Sequence, residues 1–378
     1  MKSTGDDALA AVVAWGVHHF LRSRRLDVLS DWPLVLGEGI QARYLTRGRV
    51  SSRVERCIRI LRSDLHVIGG GTVLHDYRTT VRSLRALARY QKVVSWTGGK
   101  TAAFGVTLGP LHTAEGRKLL AHILHEMDAV VVRDQPSLEL VRALDGAAAS
   151  RVRLCPDPAI LVNRVDLPEP RSLHRVGSPV VLLAPLNYHR LTGRDSEQDE
   201  IRRRRLGECL RKISRESPAS FRLLAMSGRQ GDESLCREIA RYLPEDRVEI
   251  LGYDPNPLFA YRAIEGSDLV LGMRLHSLVF AYAASVPFVA MDYHMKVPGF
   301  VRLVGADESR MVNAHDFDPL PLADIILEML QAPPASLRPL LPVGKAQRQV
   351  LEAFGMLAAT MGAPPEGAEG VRAHAPQG

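Results

Sequence analysis

Three cationic side chains stand in one apolar stretch of the sequence, residues 267–300. Arg274 and His276 follow a run that predicts a buried strand, and Lys296 follows a second such run. Arginine offers a planar fork for phosphate or carboxylate, lysine a compact charge, and histidine a proton donor whose ordinary pKa lies near neutral pH. These residue types together suit an anionic ligand and a step of acid–base chemistry.

The elements around these residues predict one strand–helix–strand unit. Strands are predicted at Ser267–Gly272 and Val286–Met291, with an apolar helix at Leu275–Ala284 between them. In an open parallel sheet, ligands bind outside the carboxyl ends of the strands, and a helix that begins there adds free N–H groups and partial positive charge. We therefore expect the three cations to converge on one edge. Taken singly, each has a structural alternative as a solvated surface cation or a core histidine.

Length and composition limit the classes to which the protein can belong. The 378 residues exceed what one hydrophobic core usually fills, and 46% of them are hydrophobic and 24% charged. The net charge of +7 favours an anionic ligand or an anionic membrane surface. Nucleic acid fits poorly, because no stripe of basic and aromatic residues is predicted. The basic run Arg202–Arg205 predicts a solvated helix face, with contact to a lipid headgroup or acceptor as the alternative.

The cysteines are far apart and show no C-x-x-C spacing; they are Cys57, Cys155, Cys209 and Cys236. This pattern disfavours a zinc site or a disulfide framework and indicates a reducing compartment. The sequence shows neither a signal-peptide pattern nor an apolar run of about 20 residues, so we expect a cytoplasmic protein. A peripheral position at the inner face of the membrane is the alternative.

Predicted strands and helices alternate in both halves of the chain. This alternation predicts two doubly wound, parallel-sheet (Rossmann-like) α/β domains facing a cleft. The first domain lacks a strand before its helix Ala8–Arg22, which we attribute to a late start; farther on, a strand is predicted at Lys92–Trp96. The predicted segments are an N-terminal domain at 1–165, a linker at 166–178, a C-terminal domain at 179–343, a helix at 344–360 and a disordered tail at 361–378.

Three glycines follow a predicted strand in the first half. The strand, Asp64–Ile68, runs into Gly69, Gly70 and Gly71. Glycines let the backbone adopt positive φ, approach a ligand closely and present N–H groups. Close packing of this backbone against a helix is the equal alternative, since the sequence is neither G-x-G-x-x-G nor a P-loop.

Arg133 repeats the pattern of a cation at the carboxyl end of a strand. It follows the buried run Ala129–Val132, so a ligand-binding role is one interpretation. The other is an ion pair with Asp134 or Asp157, and the residues leave the two interpretations level.

Several short motifs recur in one order from residue 5 to about residue 300. They are Gly5-Asp6-Asp7-Ala8, Gly69-Gly70-Gly71, Gly109-Pro110, Val132-Arg133-Asp134 with Ser137, Pro156-Asp157-Pro158, and Arg274-Leu275-His276 with Pro287, Tyr293 and Lys296. The ordered set resembles the polysaccharide pyruvyl transferase family, and the motif around Arg274 carries most of the resemblance. The missing first strand and the loop His294-Met295 depart from the family's pattern.

The resemblance implies a GT-B-like fold and a reaction. The pyruvyl group of phosphoenolpyruvate is moved onto hydroxyls of a sugar in a cell-wall or extracellular glycan, which forms a ketal and releases phosphate. His276 takes the catalytic position. The implied substrate-binding residues are Arg274, Leu275, Lys296, Arg133, Gly70, Gly71 and His112.

The chemistry of phosphoenolpyruvate fits these residue types. Its carboxylate and phosphate call for two or three cations. Protonation of C3 creates an oxocarbenium-like centre at C2, which a sugar hydroxyl attacks, and a second hydroxyl closes the ketal as phosphate leaves. His276 is the candidate general acid/base. The scheme requires no metal and no cofactor beyond the donor substrate.

Two other functions stay open. A glycosyltransferase using a nucleotide sugar could employ the same fold, with Asp292 or Glu308 on the ribose. A sugar-binding or scaffold protein is the second, although it has no need of three cations at a helix start. The expected partners are phosphoenolpyruvate and a sugar or glycan acceptor, either free or lipid-linked, and a homo-oligomer is also open. Nucleic acid is not expected.

Overall fold

We describe the protein from a computed structural model. It covers residues 3–23, 25–28, 30, 33–40, 42–44, 58–76, 80–146, 148–173, 177–188 and 197–363. Cys57 and residues 364–378 of the predicted tail lie outside these ranges. The chain divides into two compact units, one of residues 9–158 and 344–378 and the other of residues 1–8 and 159–343.

The unit of residues 9–158 is built on a parallel sheet in the order β3-β4-β5-β6, while β1 and β2 form a separate parallel pair. Its elements are α1 Thr4–Leu21, β1 Leu26–Val28, β2 Ala42–Tyr44, β3 Leu65–Leu74, α2 Arg82–Trp96, β4 Lys100–Leu108, α3 Ala114–His125, β5 Ala129–Val132, α4 Gln135–Leu144 and β6 Val152–Leu154. Strands β4 and β5 are buried along most of their length, as parallel strands covered on both faces are. The first residues of α1 are counted with the other unit.

The prediction of a strand at Lys92–Trp96 is wrong, because these residues complete helix α2. Leu84, Gln91 and Val94 are the buried residues of that helix and lie on one face of it. A short apolar run does not distinguish a strand from a helix end, and burial at helical spacing decides for the helix.

The three glycines lie inside β3 rather than after it, contrary to the prediction. Gly70 and Gly71 have φ values of 65° and 80°, which favour glycine. A Cβ on Gly70 would overlap the side chain of Leu9 in α1. Close packing of the strand on a helix, the alternative interpretation, therefore describes this segment.

The unit of residues 159–343 contains six parallel strands in the order β9-β8-β7-β10-β11-β12. Its elements are β7 Val180–Ala184, α5 Glu197–Glu216, β8 Ser220–Leu224, α6 Asp232–Ala240, β9 Val248–Leu251, α7 Pro257–Glu265, β10 Leu269–Gly272, α8 Leu275–Ala283, β11 Phe288–Asp292, α9 Lys296–Val304, β12 Met311–Asn313 and α10 Pro319–Gln331. This is the doubly wound strand order, in which the direction of strand addition reverses between β7 and β10. The strands predicted at Ser267–Gly272 and Val286–Met291 correspond to β10 and β11, within two residues of their observed ends.

The last helix, α11 Val343–Thr360, packs within the unit of residues 9–158. Phe354 stacks on Phe104 of β4 with 4.1 Å between ring centroids, and its edge meets Trp15 of α1. A Cβ on Gly16 would overlap the Phe354 ring, so α1 and α11 approach closely at a glycine.

The sequence-predicted fold class is confirmed, since both units are α/β and their sheets are parallel. None of the described helices is long and apolar enough to cross a bilayer. Among the described cysteines, Cys155, Cys209 and Cys236 are buried free thiols, and burial raises the pKa of each of them.

Candidate active site

The candidate site lies at the carboxyl edge of the six-stranded sheet, next to the reversal of strand order. Arg274 precedes α8 and His276 is the second residue of that helix, while Lys296 begins α9 after the neighbouring strand β11. Strands β10 and β11 pair in parallel, so their ends lie side by side at about 5 Å. The predicted grouping of these three residues at one edge follows from that pairing.

Arg274 is held by a buried carboxylate. Its Nη2 forms an ion pair with Oδ1 of Asp232, whose side chain is 0% exposed, against 13% for Arg274. The backbone N–H of Met226 donates to the other carboxylate oxygen at 3.1 Å. Burial raises the pKa of Asp232, although the guanidinium and the N–H groups of Met226 and Ser227 favour its ionised form.

The backbone at Arg274 is fixed by the first turn of α8. The Arg274 carbonyl accepts hydrogen bonds from the backbone N–H of Ser277 at 2.9 Å and from its hydroxyl at 2.6 Å. Leu275, the middle residue of the motif, is buried in the core. Its side chain serves packing, and the residues on either side of it are half-buried.

His276 packs against the start of helix α1. A Cβ on Gly5 would overlap the imidazole ring of His276, so the helix backbone lies directly on the ring. The N–H of Thr4 donates to the carbonyl of Met226 at 3.0 Å, and Ser3 forms an isolated bridge with Ser227. The first turn of α1 is thus docked on the segment that follows β8.

A further bond holds the same turn to the segment after β9. Tyr253 donates its hydroxyl to Oδ2 of Asp7 at 2.6 Å. Asp7 is buried, and burial together with this bond and the nearby carboxylate raises the pKa of Tyr253. The motif Gly5-Asp6-Asp7 therefore contacts the segments that follow β8, β9 and β10 of the same sheet.

The segment from the end of β11 to Lys296 carries two titratable groups with shifted pKa values. Burial lowers the pKa of His294, and the charge of Lys296 lowers it further. Asp292 accepts a hydrogen bond from the N–H of His294 at 3.1 Å, and burial raises the pKa of this aspartate. Glu308 instead precedes β12 at the opposite edge and forms an exposed ion pair with Arg302. Of the two acids considered for a ribose, Asp292 alone lies at the site's edge.

The remaining predicted residues belong to the other unit. Arg133 is buried, donates from Nη1 to Asp157 at 2.6 Å and from Nε to the hydroxyl of Thr107 at 3.0 Å. That hydroxyl donates to Asp134, which also caps α4. The ion pair, one of the two interpretations of Arg133, is thus formed with Asp157, and a donor-binding role stays a prediction.

His112 lies at the carboxyl edge of the four-stranded sheet, after β4. Its side chain is exposed, while its backbone N–H donates to Asp76 at 2.6 Å. Gly70 and Gly71 lie within β3 of the same sheet. The structure thus brings Arg274, Leu275, His276 and Lys296 together in one unit, and Arg133, His112, Gly70 and Gly71 in the other.

The basic run Arg202–Arg205 is not a solvated face. Arg202 is buried and donates to the carbonyl of Ala314 at 2.6 Å and to Asp199 at 2.9 Å. Arg203 pairs with two glutamates and Arg205 with an aspartate. Of the four arginines only Arg204 is exposed, so most of the charge of this run is balanced within the fold.

No individual role was predicted from the sequence for Asp232, Asp7 or Tyr253. Asp232 stands in none of the motifs found in the sequence. Its pairing with Arg274 depends on which strands are neighbours, and residue spacing does not contain that information. Gly5 and Asp7 did stand in a motif of the resemblance, which was the available signal.

Two Rossmann-like units define a protein of the GT-B class, and similar solved structures share this fold. A protein described as a UDP-N-acetylglucosamine 2-epimerase from Listeria monocytogenes aligns with TM-score 0.65 and 11% identity over 95% of this chain and 94% of that one. Anabaena HepE, solved with UDP-glucose, aligns with TM-score 0.53 and 13% identity over 96% of this chain and 95% of that one. The UDP-GlcNAc 2-epimerase of Methanocaldococcus jannaschii aligns with TM-score 0.52 and 12% identity over 82% of this chain and 83% of that one.

A comparison of the sequence with family models identifies the family. The family model for polysaccharide pyruvyl transferases matches residues 4–295, which is most of the chain. A sequence search of curated proteins finds no significant match. The chain belongs to the polysaccharide pyruvyl transferase family, and the match ends just before Lys296.

Proposed function

We propose that the protein transfers the pyruvyl group of phosphoenolpyruvate to two hydroxyls of a sugar in a cell-wall or extracellular glycan. The observation that carries this proposal is the position of Arg274 and His276 at the reversal of strand order, with Lys296 at the neighbouring strand end. Family membership supports a transferase acting on a polysaccharide.

The charges at this edge suit a small dianionic or trianionic donor. Arg274 and Lys296 supply two cations, and the N-terminus of α8 adds partial positive charge. The Nε–H of Arg274 is buried and makes no hydrogen bond within the described ranges. A bound phosphate or carboxylate oxygen would satisfy it, as buried donors usually are satisfied.

In the proposed reaction His276 moves the protons. A proton added to C3 of the donor converts the methylene to a methyl group, and the first sugar hydroxyl loses its proton as its oxygen bonds to C2. The bond between C2 and the phosphate oxygen then breaks, and the second hydroxyl bonds to C2 and gives up its proton. The products are the ketal and inorganic phosphate. The cations stabilise the departing phosphate.

Arg133, His112, Gly70 and Gly71 enter this proposal through the resemblance. For Arg133, the pair with Asp157 would orient the guanidinium. Gly70 packs closely on α1, so a contribution of Gly70 and Gly71 would come through the backbone of β3. The scheme uses phosphoenolpyruvate as donor substrate and no metal.

The acceptor is proposed to be a sugar or glycan, free or lipid-linked, and the protein is proposed to act in the cytoplasm or at the inner face of the membrane. Self-association as a homo-oligomer is compatible with this reaction. The family membership supports the glycan acceptor.

Calorimetric titration of phosphoenolpyruvate into the wild type and into Arg274→Ala tests the donor. We expect micromolar binding that is lost in Arg274→Ala and retained in Arg204→Ala, which removes an exposed arginine of the same unit. Inorganic phosphate and UDP-sugars are the ligand controls.

The other outcomes assign the protein elsewhere. Binding of a UDP-sugar without phosphoenolpyruvate binding would overturn the proposal and indicate a glycosyltransferase, with Asp292 as the first residue to test on the ribose. Absence of binding by every donor, with sugar binding retained, would indicate a sugar-binding or scaffold protein.

A further inference from the structure

Helix α2 presents a basic face that ends in an exposed tryptophan. Its sequence from Arg82 to Trp96 contains four cationic residues and no acidic residue. Arg82, Arg85, Arg89 and Lys92 recur every three or four positions and are all exposed, so they form one stripe along the helix. The stripe was not predicted from the sequence, because the end of this helix was taken for a strand.

The carboxyl end of the stripe is apolar. The side chain of Trp96 is 76% exposed, and the Nζ of Lys92 lies 5.6 Å from the centroid of its ring. Val93, on the same face, is also exposed, and Leu61 is 48% exposed. Helix α2 and the helical turn of Leu61 lead into β4 and β3, which are paired strands, so these apolar groups lie at one edge of the sheet.

The opposite face fixes the helix in the fold. Leu84, Gln91 and Val94 are buried, and the Gln91 side chain donates to the carbonyl of Ile123 in α3 at 3.1 Å. Of the four cations, Arg85 forms an exposed ion pair with Glu115 at 2.6 Å. The other three are therefore the main source of positive charge on a face that is already ordered.

We propose that this basic face, defined by Arg82, Arg89, Lys92, Val93 and Trp96, docks the protein on the surface of an anionic lipid bilayer. Cations attract anionic headgroups, and an exposed tryptophan beside a lysine is typical of the membrane–water interface. The net charge of +7 acts in the same direction. Exposed Val93 favours lipid over nucleic acid, since base stacking uses aromatic rings and not aliphatic side chains.

This surface lies in the unit of residues 9–158, whereas Arg274, His276 and Lys296 belong to the unit of residues 159–343. The proposal does not depend on the reaction that those residues carry out. It replaces Arg202–Arg205 as the expected lipid contact, because the charges of that run are largely balanced within the fold.

Vesicle flotation of the full-length protein tests the proposal. We expect binding to phosphatidylcholine vesicles that contain about one third phosphatidylglycerol, no binding to phosphatidylcholine alone, and loss of binding at high salt. The triple variant Arg82→Gln/Arg89→Gln/Lys92→Gln should lower the partition coefficient roughly 100-fold, about fivefold for each cation. Trp96→Ala should lower it on the order of tenfold.

Matched controls come from the other unit. The triple variant Arg204→Gln/Arg241→Gln/Arg338→Gln removes the same charge from exposed positions, and Leu340→Ala removes an apolar side chain that is 87% exposed. We expect both controls to bind within about twofold of the wild type. All the substitutions are at exposed positions, so unchanged melting temperatures should accompany the results.

Three results would overturn the proposal. Equal losses in the two triple variants would show that net charge, and not this face, determines binding. Unchanged binding of Trp96→Ala would remove the interfacial anchor. Retention of a single-stranded oligonucleotide through Arg82, Arg89 and Lys92, without vesicle binding, would assign the face to nucleic acid.

Discussion

His276 is the side chain on which the proposed chemistry depends most. It stands in the first turn of α8, where the helix offers partial positive charge, and its ring is held by the backbone of Gly5. Spacing from the strand end already predicted this position. The contact with Gly5 was not predictable, because it joins residues more than 250 positions apart whose proximity depends on the tertiary fold.

Replacing His276 by glutamine should separate chemistry from binding. His276→Gln keeps a polar side chain of similar size and removes the acid–base group, so we expect the rate of phosphate release to fall 10²- to 10⁴-fold, by the usual order of magnitude for such a group. Affinity for phosphoenolpyruvate should change by less than about threefold. His125→Gln, at an exposed histidine, is the control. A rate within threefold of the wild type would remove His276 from the mechanism.

Asp232 is a positioning residue in this account, since it touches Arg274 and no proposed reacting atom. Removing its charge leaves the guanidinium of Arg274 without its buried partner, which loosens the orientation of that side chain. We expect Asp232→Asn to weaken phosphoenolpyruvate binding about tenfold, with a smaller effect on the rate at saturation.

A double-mutant cycle tests this coupling. In the Arg274→Ala background, Asp232→Asn should have little further effect on donor binding, because the group that it positions is absent. Glu249→Gln is the control: it removes the carboxylate partner of the buried Arg222, and the pair joins β8 to the edge strand β9 of the same sheet. Additive losses in the cycle would show that Asp232 affects donor binding independently of Arg274, and would contradict its positioning role.

At the scale of elements, the first turn of α1 is a support for the candidate site. It is bonded to the segments after β8 and β9 and lies on His276 after β10. The helix start therefore positions the imidazole of His276, as Asp232 positions the guanidinium of Arg274. The role of this turn depends on its contacts, and Gly5 permits the contact with His276 because it has no Cβ.

Gly5→Ala tests this role. Alanine favours a helix over glycine by about 1 kcal/mol, so a loss of activity would come from the overlap of the new methyl group with His276. We expect a fall in rate of about tenfold or more with donor affinity largely kept, because a small displacement of a catalytic group is costly. Gly355→Ala, a helical glycine with open space around it, should leave the rate unchanged. Equal rates for both variants would contradict the role.

The elements that the sequence predicted well are those buried on both faces. Strands β10 and β11 are apolar runs that are buried along nearly their whole length, and their ends were predicted within two residues. Helix α9 was missed, because Pro298 and Gly299 in its first turns are typical loop residues. The end of α2 was misassigned, because Val93, Val94 and Trp96 suit a strand as well as a helix. The strand order, and with it the partner of Arg274, depends on long-range packing.

At the scale of the whole molecule, each unit has its own hydrophobic core. All three tryptophans of the sequence, Trp15, Trp32 and Trp96, fall within residues 9–158. Tryptophan fluorescence therefore reports on the unfolding of that unit, and circular dichroism reports on both. The two signals together distinguish a loss of stability in one unit from a loss in the whole chain.

Asp76 should make the stability of this unit depend on acid pH. It is fully buried after β3 and accepts hydrogen bonds from the N–H of His112 at 2.6 Å and from the N–H and hydroxyl of Thr113 at 2.7 and 2.6 Å. Burial opposes its ionisation, but the bonds from Thr113 and His112 outweigh burial and hold the pKa of Asp76 below its usual value. The unfolded chain therefore binds the proton more readily than the folded one.

The sign of the effect follows from that shift. Asp76 stabilises the folded unit fully at pH values above the unfolded pKa of about 3.9, and this contribution is lost as the pH falls through the lower, folded pKa.

At neutral pH we expect Asp76→Asn to reduce the free energy of unfolding by about 3 kcal/mol, since the amide cannot accept all three bonds. Urea titrations followed by tryptophan fluorescence should show this difference constant from pH 7 to about pH 5 and shrinking below about pH 4. Glu115→Gln, at an exposed carboxylate of the same unit, should show neither the loss nor its pH dependence. If the difference between Asp76→Asn and the wild type stayed the same down to pH 3, the carboxylate charge would not be what stabilises this edge of the sheet.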